Sequence, residues 1–349
     1  MYADHTVGIV VPAYNEEGYV GEVIDSVPEL ADRVYVVDDG STDDTWDEIQ
    51  THATRRNGDH DGVFDDLVVP IRHGTNRGVG GAIKSGYQRA REERLDVTAV
   101  LGGDDQMNPA ELPRYLDPVV SGRADYAKGN RFSDPDHWTN MPRFRLVGNV
   151  VLSYLTKIAS GYWGTMDSQN GYSAISLRAL EETDIDGMYE YYGYCNDLLV
   201  RLNTAGMRIA DVPRSSTFAY SDDWKSHIEY REYVPRVSAM LVRGWGRRLL
   251  RKHVLMDYHP VAVLYPLGAG VAGASGFGLL AALADRSDSG TAGWLLGLLT
   301  GALVFVYATM LDRDLDRDLE VAVEAGDGTA TAAGTPTEAD IAANGGETE

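Results

Sequence analysis

Residues 33 to 49 read RVYVVDDGSTDDTWDEI, and this stretch predicts the architecture of the N-terminal part of the chain. Val34 to Val37 form a short, continuous apolar run of the kind found in buried parallel strands. Asp38 and Asp39 end that run, Gly40 permits a tight turn, and Thr42 or Asp43 can cap a following helix. The stretch therefore predicts a strand, a turn and a helix, with two carboxylates at the carboxyl end of the strand.

The same unit recurs along the first 215 or so residues. VGIVVPAYN, residues 7 to 15, predicts a buried strand ended by Pro12, and the following EEGYVGEVIDSVPEL predicts an amphipathic helix. LVVPIRH at residues 67 to 73 and TAVLGGDD at residues 98 to 105 predict two further strands. This alternation predicts an α/β fold with a Rossmann-like, mainly parallel sheet and helices on both faces. Polar residues that follow the strands then meet at one edge, where such sheets bind ligands.

Composition excludes some classes of function. The formal net charge of -22 argues against nonspecific nucleic-acid binding, which needs a basic face. Acidic residues are spread along the chain and arginine is preferred to lysine, a balance that resembles proteins of halophilic archaea, where salt screens the repulsion. The single cysteine, Cys195, excludes an internal disulfide and a multi-cysteine zinc site, and is expected to be a packing residue.

Two apolar stretches near the C-terminal end predict a membrane hairpin. Residues 260 to 283 and 290 to 311 carry no charged side chain, and each is long enough to cross a bilayer as a helix. Two buried helices of a soluble domain are the alternative. The basic stretch RGWGRRLLRKH, residues 243 to 253, precedes them. The positive-inside rule therefore predicts a multi-pass protein of the cell membrane, with the N-terminal domain and both termini on the cytoplasmic side.

These signals divide the chain into four parts. Residues 1–225 are expected to form the α/β domain, and residues 226–257 amphipathic helices at the membrane surface, with an ordinary core-packed helix as the alternative. Residues 258–312 are expected to form the two transmembrane helices, and residues 313–349 an acidic, disordered tail. A fragment that ends near residue 255 is expected to fold, with weakened membrane residence.

Six motifs occur in an order and spacing that resemble glycosyltransferase family 2. They are VPAYNEE, VDDGSTDDT, NRGVGGAIKSGY, GGDDQMNP, GNR and DSQNGYSAIS. The resemblance covers residues 7 to about 220 and is closest to polyprenyl-phosphate hexosyltransferases of the dolichyl-phosphate mannose and glucose synthase type. It implies a GT-A fold, a nucleotide-sugar donor such as a UDP- or GDP-hexose, and a divalent metal, Mg²⁺ or Mn²⁺.

The function implied by the resemblance is inverting transfer of a hexose to polyprenyl (dolichyl) phosphate, giving a lipid-linked monosaccharide for protein glycosylation. One alternative is a glycosyltransferase that extends a lipid-linked sugar or a growing glycan. Another is a catalytically silent membrane scaffold of a glycosylation complex. The sequence names neither the sugar, the nucleotide nor the lipid length, and it leaves a homo-oligomer open.

The resemblance also assigns the donor site. Residues of the first motif are expected to line the nucleotide pocket, namely Pro12, Tyr14 and Glu16. Asp38 and Asp39 are both assigned to the nucleotide site: Asp39 is expected to bond the base or ribose, Asp38 either shares this role or instead orients the loop, and the assignment within the pair stays open. The glycine-rich motif is expected to open a helix against the nucleotide through Asn76, Gly78 and Gly81, although close packing of protein backbone explains these glycines equally well.

The metal motif departs from the family pattern. Members usually carry Asp-x-Asp followed two residues later by Gln, and aligning Gln106 and Pro109 places Asp104 on the second aspartate and Gly102 on the first. Asp104 and Gln106, with the donor diphosphate, are therefore expected to hold the cation, whose task is to neutralise the leaving nucleoside diphosphate. Asp105 is an additional carboxylate.

Three arginines are expected to position the lipid phosphate, with a solvated basic cluster as the alternative: Arg131, Arg143 and Arg145. Asp167 and Gln169 fall in a loop that resembles the family's sugar-reading and acceptor-shaping loop. Asp197 lies where relatives carry a glutamate, and it either contacts the sugar or supports the loop.

Overall fold

An eight-stranded mixed sheet forms the centre of the structure, a computed structural model that describes residues 1–58, 60–133, 143–213, 230–284 and 290–323. The strand order is β3-β2-β1-β4-β6-β5-β7-β8, and β6 alone among these strands runs antiparallel to its neighbours. The strands are β1 Val7–Ala13, β2 Arg33–Asp38, β3 Val68–Arg72, β4 Val97–Val100, β5 Tyr126–Asn130, β6 Ser173–Ser176, β7 Ile209–Pro213 and β8 Glu320–Val321. The predicted mainly parallel sheet is confirmed.

Helices cover both faces of the sheet and then leave it. They are α1 Val20–Ser26, α2 Thr45–Gly58, α3 Val79–Glu92, α4 Leu112–Val120, α5 Arg143–Ser160, α6 Leu177–Glu182, α7 Tyr194–Thr204, α8 Tyr230–Arg248, α9 Val261–Ala284 and α10 Thr291–Leu315. A π-helical segment, Leu249–Met256, continues α8 toward α9. Short 3₁₀ turns occur at Pro109–Glu111, Arg131–Ser133 and Arg317–Leu319.

The sheet is buried on both faces, which explains the continuous apolar runs in its strands. On β1, Ile9 and Val11 pack in one apolar layer with residues of α1, α2 and α4. Val10 points to the other layer, with residues of α3, α6 and α7, and this layer also contains Cys195. The strand β1 extends through Pro12 to Ala13 instead of ending at Pro12, because the Pro12 carbonyl still accepts a bond from Gly103 N at 3.2 Å.

The helices α9 and α10 form the predicted hairpin. Each is long and apolar enough to cross a membrane, and only 11% of the most apolar window of each is buried, unlike the core helices of a soluble domain. Gly268 faces Gly301, where an added Cβ at Gly268 would lie 2.9 Å from the Gly301 carbonyl oxygen, and Gly278 faces Trp294. This pairing runs antiparallel, and the small residues let the two backbones approach closely.

A buried cluster of charges joins the hairpin to the α/β domain. Arg248, at the end of α8, is fully buried and pairs with Asp312 at 2.6 Å and Asp316 at 3.0 Å. Lys252 pairs with Asp316 at 2.6 Å. Asn203 of α7 donates to the same Asp316 carboxylate at 3.0 Å. The domain and the hairpin therefore share one ionic network.

The predicted disordered tail begins too early at residue 313. The helix α10 continues to Leu315, and β8 adds to the sheet beside β7. Glu320 accepts bonds from the amides of Trp163, at 2.7 Å, and Gly164. Composition cannot reveal that Asp316 and Glu320 find donors on a distant part of the chain. Residues 324–349, the rest of that predicted tail, lie outside the described residues.

Candidate active site

The loops that follow β1 and β2 are bonded into one wall at the carboxyl edge of the sheet. Asn15 N donates to Ser41 Oγ at 2.9 Å, and Asn15 Oδ1 accepts from Thr42 N at 2.9 Å. Glu16 N donates to Thr45 Oγ1 at 2.9 Å. Asn15 has a φ of 54°, a left-handed conformation that asparagine tolerates better than most residues. The first two motifs therefore form a single surface.

Tyr14 and Glu16 lie on this wall, one residue and three residues after β1. Tyr14 is exposed and is therefore not a core-packing residue, and its ring is accessible to the base of a nucleotide. Burial, with added repulsion from Asp104 and Asp43, raises the pKa of Glu16 to about 7. Pro12 belongs to β1 itself. The wall therefore presents an aromatic ring beside an edge with an excess of negative charge.

Asp39 has both of its oxygens bonded to protein donors. Oδ1 accepts from Arg77 N at 2.9 Å, and Oδ2 accepts from Gly78 N at 2.7 Å. Asp38 is fully buried, accepts from Ser41 N at 2.9 Å and lies 3.1 Å from Arg72 Nε. Asp38 therefore orients its own loop. Asp39 organises the start of α3, so any bond to a base or ribose would be added to these contacts.

His73 is a site residue that the sequence reasoning missed. Its Nδ1 lies 2.6 Å from Asp39 Oδ1, and its Nε2 lies 2.9 Å from Ser85 Oγ on α3. The ring is buried and bridges the end of β3 to α3. A histidine that follows a predicted strand, at the edge where carboxylates are expected, is the signal that could have found it.

The glycines at the start of α3 lie against other protein atoms, backbone at Gly78 and side chain at Gly81. An added Cβ at Gly78 would lie 2.6 Å from the Glu190 carbonyl oxygen, and Gly78 has a φ of 86°. At Gly81 the nearest atom would be Arg77 Cβ, at 2.8 Å. Asn76 Oδ1 accepts from Gly78 N at 3.0 Å. Close packing therefore accounts for these glycines, and their contact with a nucleotide stays a prediction.

Asp104 and Asp105 differ in their surroundings. Asp104 is half-buried, and its Oδ1 accepts from Gln106 N at 3.3 Å. Asp105 is exposed in a left-handed conformation with a φ of 53°, as a turn residue would be. An added Cβ at Gly102 would lie 2.7 Å from Asp104 Oδ1. The position that replaces the family's first aspartate is therefore adjacent to Asp104.

The residues at this edge suit a divalent cation that is bound partly by the protein and partly by oxygen atoms of the donor diphosphate. Within the described ranges, no group of three or more histidine, cysteine, aspartate or glutamate side chains can hold a metal unaided. Asp104 nevertheless lies close enough to Glu16 for their charges to interact. Hard divalent cations take oxygen ligands and retain several waters, so one protein carboxylate and an amide with a diphosphate are a suitable set.

The planar guanidinium group of Arg131 binds the carboxylate of Asp167. Its Nε and Nη2 donate to Asp167 Oδ2 and Oδ1, each at 2.7 Å, and its backbone amide donates to Oδ2 at 3.0 Å. Burial alone would raise the pKa of Asp167, but the charge and hydrogen bonds of Arg131 outweigh it and lower the pKa to about 2. The Nε and Nη2 atoms of Arg131 are therefore engaged by Asp167, and direct binding of a lipid phosphate by Arg131 stays a prediction. The side chains of Arg143 and Arg145 lie outside the described part of the structure.

The remaining predicted residues support the loops around the edge. Gln169 Nε2 donates to the hydroxyl of Tyr233 on α8. This bond joins the loop that contains Asp167 and Gln169 to the helix that leads to the apolar hairpin. Asp197 is buried and accepts from Tyr189 N at 2.9 Å and Arg201 Nε at 2.6 Å. These bonds agree with the role of Asp197 in supporting the loop, and its contact with a sugar stays a prediction.

Tyr192 is a second residue that the sequence reasoning missed. It is exposed at the same edge, and burial of its hydroxyl, followed by the charges of Glu16 and Asp104, raises its pKa. The tyrosine-rich run at residues 189 to 194, YEYYGY, was its signal in the sequence. An aromatic ring beside carboxylates is a suitable surface for a sugar or a base.

Comparison with known proteins gives a consistent result. The sequence model of the glycosyl transferase family 2 matches residues 8–184. The chain is 31% identical over 215 residues to a UDP-N-acetylglucosamine–dolichyl-phosphate N-acetylglucosaminyltransferase of Methanococcus voltae, covering 60% of this chain and 85% of the relative. It is also 31% identical over 210 residues to an undecaprenyl-phosphate mannosyltransferase of Micrococcus luteus, covering 58% of this chain and 80% of the relative.

A solved structure supports the same fold. The chain is similar to mannosyl-3-phosphoglycerate synthase from Rubrobacter xylanophilus, with a TM-score of 0.50 and 18% identity, covering 72% of this chain and 76% of that protein. At this identity the likeness concerns the arrangement of the sheet and helices.

Proposed function

Because the chain belongs to glycosyl transferase family 2, we propose that it transfers a sugar from a nucleotide-sugar donor to a polyprenyl phosphate, with inversion at the anomeric carbon. The observation that carries this proposal is that the α/β domain and the apolar hairpin are bonded to each other. A domain with a polar, acidic ligand edge is joined through buried ion pairs to an exposed apolar hairpin. Relatives named for both dolichyl-phosphate and undecaprenyl-phosphate transfer support a lipid phosphate as acceptor.

The donor is proposed to lie along the wall made by the first two motifs. Tyr14 offers an exposed ring for the base, and Asp39 fixes the start of α3 beneath it. The sugar is a hexose or an N-acetylhexosamine, since the relatives' names include both mannose and N-acetylglucosamine. Tyr192, beside Glu16 and Asp104, is proposed to contact the sugar.

The leaving group is proposed to lie beside Asp104 and Gln106. These side chains would hold a divalent cation, Mg²⁺ or Mn²⁺, together with the donor diphosphate. Bound there, the cation would supply positive charge that neutralises the departing nucleoside diphosphate. Without it, the carboxylates of Glu16 and Asp104 would repel the diphosphate.

The acceptor phosphate is proposed to act as the nucleophile. One of its oxygens forms a bond to the anomeric carbon while the bond from that carbon to the diphosphate breaks on the opposite face, which inverts the configuration. A phosphomonoester is already anionic at neutral pH, so positioning matters more than proton removal. Arg143 and Arg145 are proposed to bind it, and Arg131 is proposed to act indirectly by orienting Asp167.

The domain and both termini are proposed to be cytosolic. Arg243, Arg247 and Arg251 are exposed just before the hairpin, as the positive-inside rule requires of the cytosolic side. A C-terminal tag should be protected from protease in sealed right-side-out vesicles and become accessible when they are opened. Digestion of the tag in sealed vesicles would contradict this orientation.

An acceptor series tests the proposed reaction. The full chain in phospholipid vesicles should release nucleoside diphosphate from a nucleotide sugar when polyprenyl phosphate is present. Polyprenol, which lacks the phosphate, should not substitute, and neither should a polyprenyl diphosphate-linked sugar. Turnover with the diphosphate-linked sugar instead would favour extension of a lipid-linked glycan. Nucleotide binding without turnover on any acceptor would favour a silent scaffold.

A further inference from the structure

The helix α5 has the reverse of the usual amphipathic pattern. Over Leu146–Ser160, where side chains are described, the exposed positions are one connected face of apolar or small residues: Val147, Gly148, Val151, Tyr154 and Leu155. Their spacing of three and four residues places them on the same side of the helix. A helix on the surface of a soluble domain normally exposes polar side chains there.

The polar residues of α5 face the protein. Thr156 Oγ1 accepts a bond from Asn196 Nδ2 of α7 at 2.7 Å, and the same amide nitrogen lies 2.8 Å from Ser168 Oγ. Lys157 is buried and donates to the Trp163 carbonyl at 2.6 Å. These bonds fix the rotation of the helix, because turning the apolar face inward would leave buried polar groups without partners.

The C-terminal end of α5 lies at the base of the membrane hairpin. Arg248, which pairs with Asp312 of α10, also donates through Nη2 to the Ile158 carbonyl at 3.4 Å. An added Cβ at Gly161 would lie 2.9 Å from Arg248 Cζ, so no larger side chain fits between them. Leu155 is one helical turn from Ile158, roughly 5 Å along the axis.

The π-helical segment carries further exposed apolar residues on the hairpin side. Leu250, Val254, Leu255 and Met256 are exposed along it, directly before α9 enters the predicted membrane span. Arg248, which bonds Ile158 of α5, is the residue that precedes this segment. The C-terminal end of α5 and the start of this segment therefore lie next to each other where the hairpin begins.

We propose that the exposed face of α5 lies in the interfacial layer of the bilayer and is a second membrane-docking surface, separate from the hairpin. Its occupant is phospholipid, because α5 is bonded through Arg248 to the base of a pair of spanning helices and its exposed face includes Tyr154, a residue type favoured at the interface. Lys157 Nζ lies 5.6 Å from the centre of the Tyr154 ring, so a cation supports that ring from the protein side.

This docking would hold the active-site edge against the membrane, an inference that rests on the proposed function. The chain enters α5 after Arg131 and leaves it before Asp167, the two residues that form the bidentate pair. Ser168 N, in the loop that begins at Asp167, also donates to Ser153 Oγ of α5 at 3.4 Å, so the docking helix packs against the loop assigned to the acceptor.

Depth measurements with a fluorescent label test the docking without any sugar substrate. Val147→Cys in the full chain would be labelled with an environment-sensitive dye and placed in vesicles of phosphatidylcholine and phosphatidylglycerol. Val63→Cys is the matched control, because Val63 is 62% exposed and Val147 is 61% exposed. The native Cys195 is buried and reports any labelling of unfolded protein.

The dye at position 147 should show blue-shifted emission, and lipids brominated on their acyl chains should quench it at least about twofold, as expected for an interfacial helix. The dye at position 63 should show neither effect. Water-like emission at position 147 would overturn the proposal. A blue shift without quenching by brominated lipid would also overturn it, because the face would then be covered by protein, either a second copy or another segment of this chain.

A kinetic experiment separates this inference from the proposed reaction. Val147→Asp with Val151→Asp should raise KM for a long-chain polyprenyl phosphate in vesicles about tenfold, since charges are costly in the interfacial layer. The kcat with a short, water-soluble acceptor and the affinity for the donor should not change. Val63→Asp is the control. Equal KM values in the double variant and the control would count against docking, whatever the acceptor proves to be.

Discussion

At the residue scale, the two adjacent carboxylates Asp104 and Asp105 have different assignments. Asp104 is half-buried, interacts with the charge of Glu16 and lies beside the position of the missing family aspartate. Asp105 is an exposed turn residue. Asp104→Ala should lower kcat by ~10²-fold or more, as loss of a metal ligand at a departing diphosphate does. Asp105→Ala should stay within about threefold of the native chain, and steady-state kinetics with a saturating donor distinguish the two. Reversed effects would show that Asp105 holds the cation.

Gly102 and Gly103 should respond differently to substitution. Gly102 has no positive φ, and the nearest atom to an added Cβ is the mobile end of the Asp104 side chain. Gly102→Asp should therefore fold and bind Mn²⁺ more tightly, which a calorimetric titration measures. At Gly103 an added Cβ would lie 2.8 Å from the Pro12 backbone oxygen. Gly103→Ala should destabilise the fold by about 1–3 kcal/mol. Unfolding of Gly102→Asp would mean that the loop needs glycine at both positions.

The sequence is most informative about residues whose positions depend on their neighbours along the chain. The positions of Tyr14, Glu16 and Asp104 follow from strands that end beside them. It was least informative where partners are distant in sequence. The fork of Arg131 is occupied by Asp167, and His73 bridges Asp39 to Ser85, contacts that no local pattern specifies.

At the element scale, the Arg131–Asp167 pair joins the end of β5 to the loop before β6. Because the pKa of Asp167 is lowered to about 2, the unfolded chain binds a proton more readily than the folded chain as the pH falls below about 4. The stabilisation from this carboxylate, about 2 kcal/mol, is therefore fully present near pH 5 and above and is lost as the pH falls through about 2.

Denaturant unfolding at several pH values tests this pair. The difference in unfolding free energy between the native chain and Asp167→Asn should shrink by about 1 kcal/mol between pH 5 and pH 3. Arg131→Lys should weaken the same pH dependence, since lysine lacks the bidentate fork. A difference that is constant over this range would show that the Asp167 carboxylate is not paired in solution.

The helices show what the spacing of apolar residues can and cannot predict. The length of the stretches that form α9 and α10 and their lack of charged residues are enough to predict spanning helices. The apolar spacing of α5 is equally visible, but periodicity does not say which face is turned inward. That orientation is set by the polar contacts of Thr156 and Lys157 with α7 and the Trp163 carbonyl.

At the scale of the whole molecule, the hairpin and the α/β domain are expected to depend on each other. The sequence alone suggested that a fragment ending near residue 255 would fold. Such a fragment would lack Asp312 and Asp316, leaving the fully buried Arg248 without its carboxylate partners. Breaking a buried pair in this way typically costs about 3–5 kcal/mol. The truncated domain should therefore be less stable than the full chain in thermal or denaturant unfolding.

A substitution within the fragment separates this cause from general loss of structure. Arg248→Met should recover part of the lost stability, because an apolar side chain of similar length does not need an ionic partner. The fragment also lacks β8, so recovery should be incomplete. If Arg248→Met destabilises the fragment further, the buried charge has found another partner and the ionic network is not what joins the two parts.

The most direct test of the central claim is the mass of the lipid product. The full chain in vesicles would be given polyprenyl phosphate and a panel of labelled nucleotide sugars that includes GDP-mannose, UDP-glucose and UDP-N-acetylglucosamine. We expect one lipid product, with the mass of polyprenyl phosphate plus a single sugar residue, formed by the native chain and absent with Asp104→Ala. A product with several sugars, a sugar linked through a lipid diphosphate, or no labelled lipid with any donor would contradict it.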